Sequence, residues 1–224
     1  MSRGRKVSRV KLIHPTPETA EKYLLDWNSG ELYRSPEKFP LLDSQTFFGV
    51  KKVMQMEIGC GTGELICGLA ADQPQKIFIG IDVSRKAIYF AVNLATKEKL
   101  ENIRFIKADF KLLYPLVKPD SIEMVYLHFP DPFYGSKHVK HRIFDLNFLD
   151  SMHKALVQEG RISVVTDEEP FFMDMLSLAE EDDRYQIFHS AKFLKSFDPI
   201  IKSRFHRAWE RIEKPIFHFE LEKI

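Results

Sequence analysis

Cysteine is scarce: the 224-residue chain has two, Cys60 and Cys67. Two thiols cannot build a four-ligand zinc site or a disulfide framework. The eight histidines add no His-Glu-x-x-His pair and no His/Cys cluster at zinc spacing, so no metal is expected. No run of about 18 uncharged apolar residues occurs, which excludes a helical membrane span. Acids are absent before Glu18, whereas Arg3, Arg5, Lys6, Arg9 and Lys11 crowd that stretch. No apolar segment follows these cations, so a secretory signal is not expected. Pro15 and Pro17 oppose the amphipathic helix of a transit peptide, which leaves a mobile basic arm on a cytoplasmic protein. Net charge is nearly absent as well. Thirty-three Lys plus Arg against 32 Asp plus Glu leave +1, so overall charge gives no reason to expect nucleic-acid binding.

At 44% hydrophobic and 29% charged, the composition is that of a globular chain. Its length suits one domain with a small extension. The 19 Phe, 7 Tyr and 2 Trp read as core packing. Residues 1–50, broken by Pro15, Pro17, Pro36 and Pro40, read as an irregular extension with one helix from Pro17 to about Trp27. Residues 51–224 form the main domain. Strands are expected at Val53–Ile58, Lys76–Asp82, Ile103–Lys107, Ile122–His128 and Arg161–Thr166. Helices are expected at Glu64–Ala71, Ser84–Lys97, Arg142–Val157 and Pro170–Glu180. Tyr185–Phe188, a basic helix near Ser203–Arg211 and Pro215–Leu221 complete the chain. This alternation describes an α/β fold: a mostly parallel seven-stranded sheet with helices on both faces and an antiparallel C-terminal strand. Such sheets bind ligands outside the carboxyl ends of their strands, where strand order reverses.

The first strand ends in Glu57-Ile58-Gly59-Cys60-Gly61-Thr62-Gly63. Alternate glycines let the backbone turn sharply and meet a ligand closely. A dinucleotide fingerprint wants a third glycine where Glu64 stands, and that carboxylate would repel a pyrophosphate. Glu57 favours a cationic amino or sulfonium group instead. Asp82 ends the second strand and suits two ribose hydroxyls. Ala108-Asp109-Phe110 follows the third, an acid and a ring suited to adenine. Together they describe a nucleoside with a positive tail, the shape of S-adenosylmethionine.

The fourth strand runs into His128-Phe129-Pro130-Asp131-Pro132-Phe133. Two prolines stiffen the backbone around Asp131, which makes it the candidate catalytic acid. Gly135-Ser136-Lys137-His138-Val139-Lys140-His141-Arg142 carries cations and no acid, a local patch able to meet phosphates. The fifth strand ends in Thr166-Asp167-Glu168-Glu169-Pro170, with another acid at the same sheet edge.

In these pieces, in this order, the chain resembles the bacterial tRNA (guanine-N7-)-methyltransferases, which are Rossmann-like, class I S-adenosylmethionine-dependent enzymes. The resemblance covers about residues 53–221, and Phe129-Pro-Asp-Pro132 followed by cations is its most specific part. It implies methyl transfer from S-adenosylmethionine to N7 of a tRNA guanosine, the variable-loop guanosine at tRNA position 46. It places Glu57, Gly59, Gly61, Gly63, Asp82, Ala108, Asp109 and His128 at the cofactor and Asp131 at the chemistry. It puts Asp131, Lys137, Lys140, Arg142, Asp167, Ser203 and His206 toward the RNA. The chain departs from the family at His206, where a Glu is usual, at Phe133, usually Trp, at Gly135, usually Lys, and at Asp82, more often Glu. A tRNA-binding module with impaired catalysis and an NAD(P)-linked oxidoreductase are the competing readings.

Overall fold

The computed structural model describes residues 12–134 and 141–224. The cations of the basic arm up to Lys11, and the expected RNA contacts Lys137 and Lys140 with the departure at Gly135, lie outside the described residues. In chain order the elements are α1 (Pro17–Tyr23), β1 (Leu24–Asp26), α2 (Ser29–Arg34), α3 (Ser44–Phe48), β2 (Met54–Ile58) and α4 (Glu64–Asp72). Next come β3 (Ile77–Asp82), α5 (Arg85–Lys97), β4 (Ile103–Lys107), β5 (Ile122–His128) and α6 (Leu146–Ala155). The chain ends with β6 (Leu156–Thr166), α7 (Glu169–Glu180), β7 (Tyr185–Ile187), α8 (Arg204–Glu210) and β8 (Phe217–Lys223). Among the described residues no helix is long and apolar enough to cross a membrane.

The strands form one sheet in the order β1-β4-β3-β2-β5-β6-β8-β7. Every neighbouring pair from β1 to β6 is parallel, while β8 is antiparallel to both β6 and β7. The sheet has eight strands, not the expected seven, because a short edge strand precedes the glycine loop. Residues 24–26 were expected to continue the first helix. They instead pair with β4, Leu24 opposite Phe105 and Asp26 opposite Lys107. Leucine favours helix on its own, but an open sheet edge offers these backbone groups a ladder, and tertiary pairing overrides the propensity.

Side chains alternate between two cores, as the pleat requires. Met54, Met56, Ile58, Ile77, Ile79 and Ile81 join one layer with Phe148 and Met152 of α6 and Phe172 and Met175 of α7. Phe78, Ile103 and Phe105 face the other, against Tyr23, Ile66, Ile88 and Val92 of α1, α4 and α5. Burial on both faces explains why these strands read as continuous apolar runs. Phe172 meets Phe193, Phe217 and Phe219 at centroid distances of 5.3–5.4 Å, which accounts for part of the phenylalanine excess. Strand order reverses between β2 and β5, so the loops after these two adjacent strands bound the ligand crevice.

Candidate cofactor and substrate site

The loop after β2 is held on the end of β3. Gly59 and Cys60 both donate to the Ile81 carbonyl, at 2.8 and 3.0 Å. Gly59, Gly61 and Gly63 have φ of 76°, 55° and 82°. A methyl group at Gly59 or Gly61 would meet nothing within 4 Å, so both are open to an approaching ligand. One at Gly63 would lie 2.7 Å from Ala91 Cβ, so the third glycine serves the packing of α4 on α5.

Glu57 points to the α4 side of the sheet and is 3% exposed. Burial and the neighbouring Glu64 raise its pKa well above the usual carboxylate range, the Ile66 amide opposes this, and Asp82 adds to it. Its Oε2 has no hydrogen-bond partner among the described residues. An acid in that state gains most from a cationic partner. Asp82 is fixed by backbone amides, Gly61 donating to Oδ2 at 2.9 Å and Ser84 to Oδ1 at 2.7 Å. Burial raises its pKa, while these two amides pull the other way. Ala108 is buried and donates its amide to the Asp82 carbonyl at 3.1 Å. Asp109 is exposed at the end of β4, its Oδ1 accepting from the Lys111 amide at 3.0 Å. Phe110, expected beside an adenine, is 3% exposed and packs edge-on against Tyr114, so its ring belongs to the core.

His128 ends β5 and opens a chain of contacts. Its Nε2 lies 3.0 Å from Ser163 Oγ, which lies 3.1 Å from His218 Nε2, and His218 Nδ1 lies 3.1 Å from His189 Nε2. Phe197 stacks on His218 at 3.9 Å. Burial first, then His218 and His206, drive the His128 pKa well below that of a free imidazole. Burial and His189 lower His218 to about 3. The sequence reading missed Ser163 and His218. Nothing in their spacing set them apart, because each shares its strand face with other polar residues, Arg161 beside Ser163 and Glu220 and Glu222 beside His218.

Beyond β5 the backbone is strained. Phe129 and Phe133, bulky and flanking the Pro-Asp-Pro core, have φ of 54° and 43°. The Phe129 amide is tied to the Val165 carbonyl at 2.6 Å. Asp131 is exposed on this loop and its Oδ1 accepts from the Phe133 amide at 3.3 Å. Arg142, expected to touch RNA, is engaged by the protein. It donates to the Pro132 carbonyl at 2.8 Å and to Asp174 at 2.7 Å, and its guanidinium covers Phe171 at 4.5 Å. It therefore braces the Asp131 loop from behind.

Asp167 is brought to the same edge, with its side chain 0% exposed and paired to Lys214 at 2.5 Å. Glu168 lies 3.1 Å from the same ammonium and accepts from the Tyr134 hydroxyl. Ser203 caps α8, its Oγ accepting from the His206 amide at 3.1 Å. His206 is 2% exposed, with its ring 6.0 Å from Phe129 and 6.1 Å from Phe197. Lys202, just before the basic helix expected near Ser203–Arg211, is paired with Asp198 and, at 2.6 Å, with Glu210. A cavity of about 630 Å³ opens here, walled by Phe197, His206, Lys214 and Phe217.

Comparison with known proteins identifies the family and the fold. Residues 51–219 match the family model described as "Putative methyltransferase". The tRNA (guanine-N(7)-)-methyltransferase of Rubrobacter xylanophilus is 44% identical over 97% of both chains. The protein of the same name from Chloroherpeton thalassium is 41% identical over 99% of this chain and 98% of its own. Among solved structures, the aminoglycoside resistance methyltransferase NpmB1 superposes with a TM-score of 0.56 at 15% identity, covering 88% of this chain and 95% of that one, which shows a shared fold. The glycine crevice, the strained acidic loop and full-length kinship converge: the chain belongs to the tRNA (guanine-N7-)-methyltransferase family.

Proposed function

We propose that this protein methylates N7 of a tRNA guanosine, the variable-loop guanosine at position 46, in the cytoplasm. Kinship over 97% of both chains with a relative of that name carries the reading. The crevice fits S-adenosylmethionine on two counts: Glu57 offers a buried, unpartnered oxygen to a cation, and Gly59 and Gly61 leave room for close backbone approach. When bound, the cofactor supplies a methyl group on a positively charged sulfur. Glu57 and the glycine loop through Gly63 hold its charged tail, Asp82 its ribose, and Ala108 and Asp109 its adenine. His128 closes the pocket on the β5 side.

Guanine N7 carries a lone pair and no proton, so no residue has to act as a base. The protein's task is to hold donor and acceptor in line at about 3 Å. Asp131, on its stiff loop, accepts from the N–H groups of the guanine Watson–Crick edge. That contact orients the base and offsets the positive charge the ring gains with the methyl. Phe133 and Tyr134 supply rings on which a displaced base can stack. We assign Asp167, Ser203 and His206 to the substrate side and Lys137 and Lys140 to contacts with the RNA backbone, while Arg142 serves through the Asp131 loop it braces.

Asp131→Ala should abolish incorporation of labelled methyl into tRNA while leaving S-adenosylhomocysteine affinity within a few fold by calorimetry. Full residual activity would sink the assignment. Loss of 7-methylguanosine from tRNA of a deletion strain checks the reaction in the cell.

A further inference from the structure

Asp167 stands on the substrate side, yet its side chain is 0% exposed and sealed by the Lys214 ammonium at 2.5 Å. A base entering the crevice therefore meets the lysine before the acid. Lys214 is well placed for such a meeting. It lines the 630 Å³ cavity together with Phe197, His206 and Phe217, a volume in the usual range of roughly 300–1,000 Å³ for ligand pockets. The Phe129 ring, at the start of the Asp131 loop, lies 6.0 Å from His206 in the same wall. The Lys214 ammonium sits 3.1 Å from Glu168 and 4.6 Å from the Trp209 ring centre, so three groups fix its position. Burial lowers its pKa, but its hydrogen bonds to Asp167 and Glu168 and their negative charge outweigh that and raise it. An ammonium has three donors, and the two carboxylates take two of them.

Guanine and adenine differ most sharply at position 6. Guanine presents the O6 acceptor, whereas adenine presents an amino donor. A fixed ammonium donates to the first and repels the second. Resting on the guanine-N7 reading above, we infer that Lys214 reads guanine O6 and that Asp167 is a positioning residue acting through it. The rejection is built from a desolvated, anchored charge, and a site of that kind discriminates strongly against an analogue lacking the matching group.

The test uses the full-length protein and tRNA transcripts carrying guanosine or 6-thioguanosine at the target position. The analogue keeps N7, the N1–H and the 2-amino group that face Asp131, and replaces O6 with sulfur, a much weaker acceptor. Wild type should strongly prefer guanosine. Lys214→Met, which keeps an unbranched apolar chain of similar length, should lower kcat/KM for guanosine by about 10- to 100-fold, as expected for a lost charged hydrogen bond. It should also collapse the preference over the analogue. Asp167→Asn should produce the same collapse, and the double variant should be no worse than either single one. Lys214→Arg should restore part of the preference, which covers the case in which the methionine variant does not fold. A preference unchanged in Lys214→Met, or multiplicative losses in the double variant, overturns the role of Lys214 and leaves the reaction standing. Absence of methyl transfer to guanosine by wild type overturns the reaction and this inference together.

Discussion

Gly63 and Glu57 show how single residues in one loop are fixed by different physics. At Gly63 both φ, 82°, and the 2.7 Å approach to Ala91 Cβ exclude a side chain. Gly63→Ala should cost about 1–3 kcal/mol, because the helix pair cannot absorb the methyl without shifting. A lowered urea midpoint with an unchanged m-value would confirm it, and wild-type stability would refute it. The acids Glu57, Asp82 and Asp109 stood out in the sequence because each lies at or just beyond the carboxyl end of an apolar strand, next to a turn. Their partners were not legible. Arg142 has the residue type of an RNA contact but the neighbours of a brace, and Phe110 has the type of an adenine cover but the burial of a core ring. Residue type announces what a side chain is able to do, and packing decides what it does.

Among the elements, the long parallel strands were legible and the short edge strand was not. β2 to β6 carry their own apolar signature, buried on both faces. β1 has three residues, Leu-Leu-Asp, and exists because β4 presents an unpaired edge. Its approach is anchored by Tyr23, buried at the end of α1, whose hydroxyl donates to the Leu100 carbonyl at 2.7 Å. Tyr23→Phe should cost about 1 kcal/mol, the net value of one such bond, measured by urea denaturation. An unchanged midpoint would mean that the ring alone holds the anchor. The start of α6 was misread for a different reason. The helix begins at Leu146 rather than Arg142 because Asp145 accepts from the Phe148 amide at 2.9 Å, an N-cap that the basic run in front of it obscured.

For the whole molecule, the near-zero charge conceals buried titratable groups of opposite sign. His218 titrates near 3 in the fold and near 6.5 when unfolded, so between those values the unfolded chain binds more protons. Its contribution to stability is complete above pH 6.5 and is lost as pH falls toward 3. His128, also depressed, works in the same direction. Glu57 works in the opposite one: its raised pKa supports the fold in acid and ceases to do so as pH rises through that value. Because only the histidine contribution is removed, His218→Gln should gain stability relative to wild type as pH falls from 7 to 5, so its slope of Tm against pH should differ from that of wild type. An equal slope in the variant would remove His218 as the cause.

The two cysteines, set aside at first as too few for a metal or a disulfide, acquire a use from where they lie. Cys60 sits inside the glycine loop and Cys67 in the helix it opens, both free and buried. Burial, with nearby carboxylates such as Glu57, pushes both thiols up. Every thiol of the protein is thus silenced by one structural unit, the glycine loop and the helix it opens. Alkylation of the whole protein becomes a clock for the opening of that single unit, with no label to install.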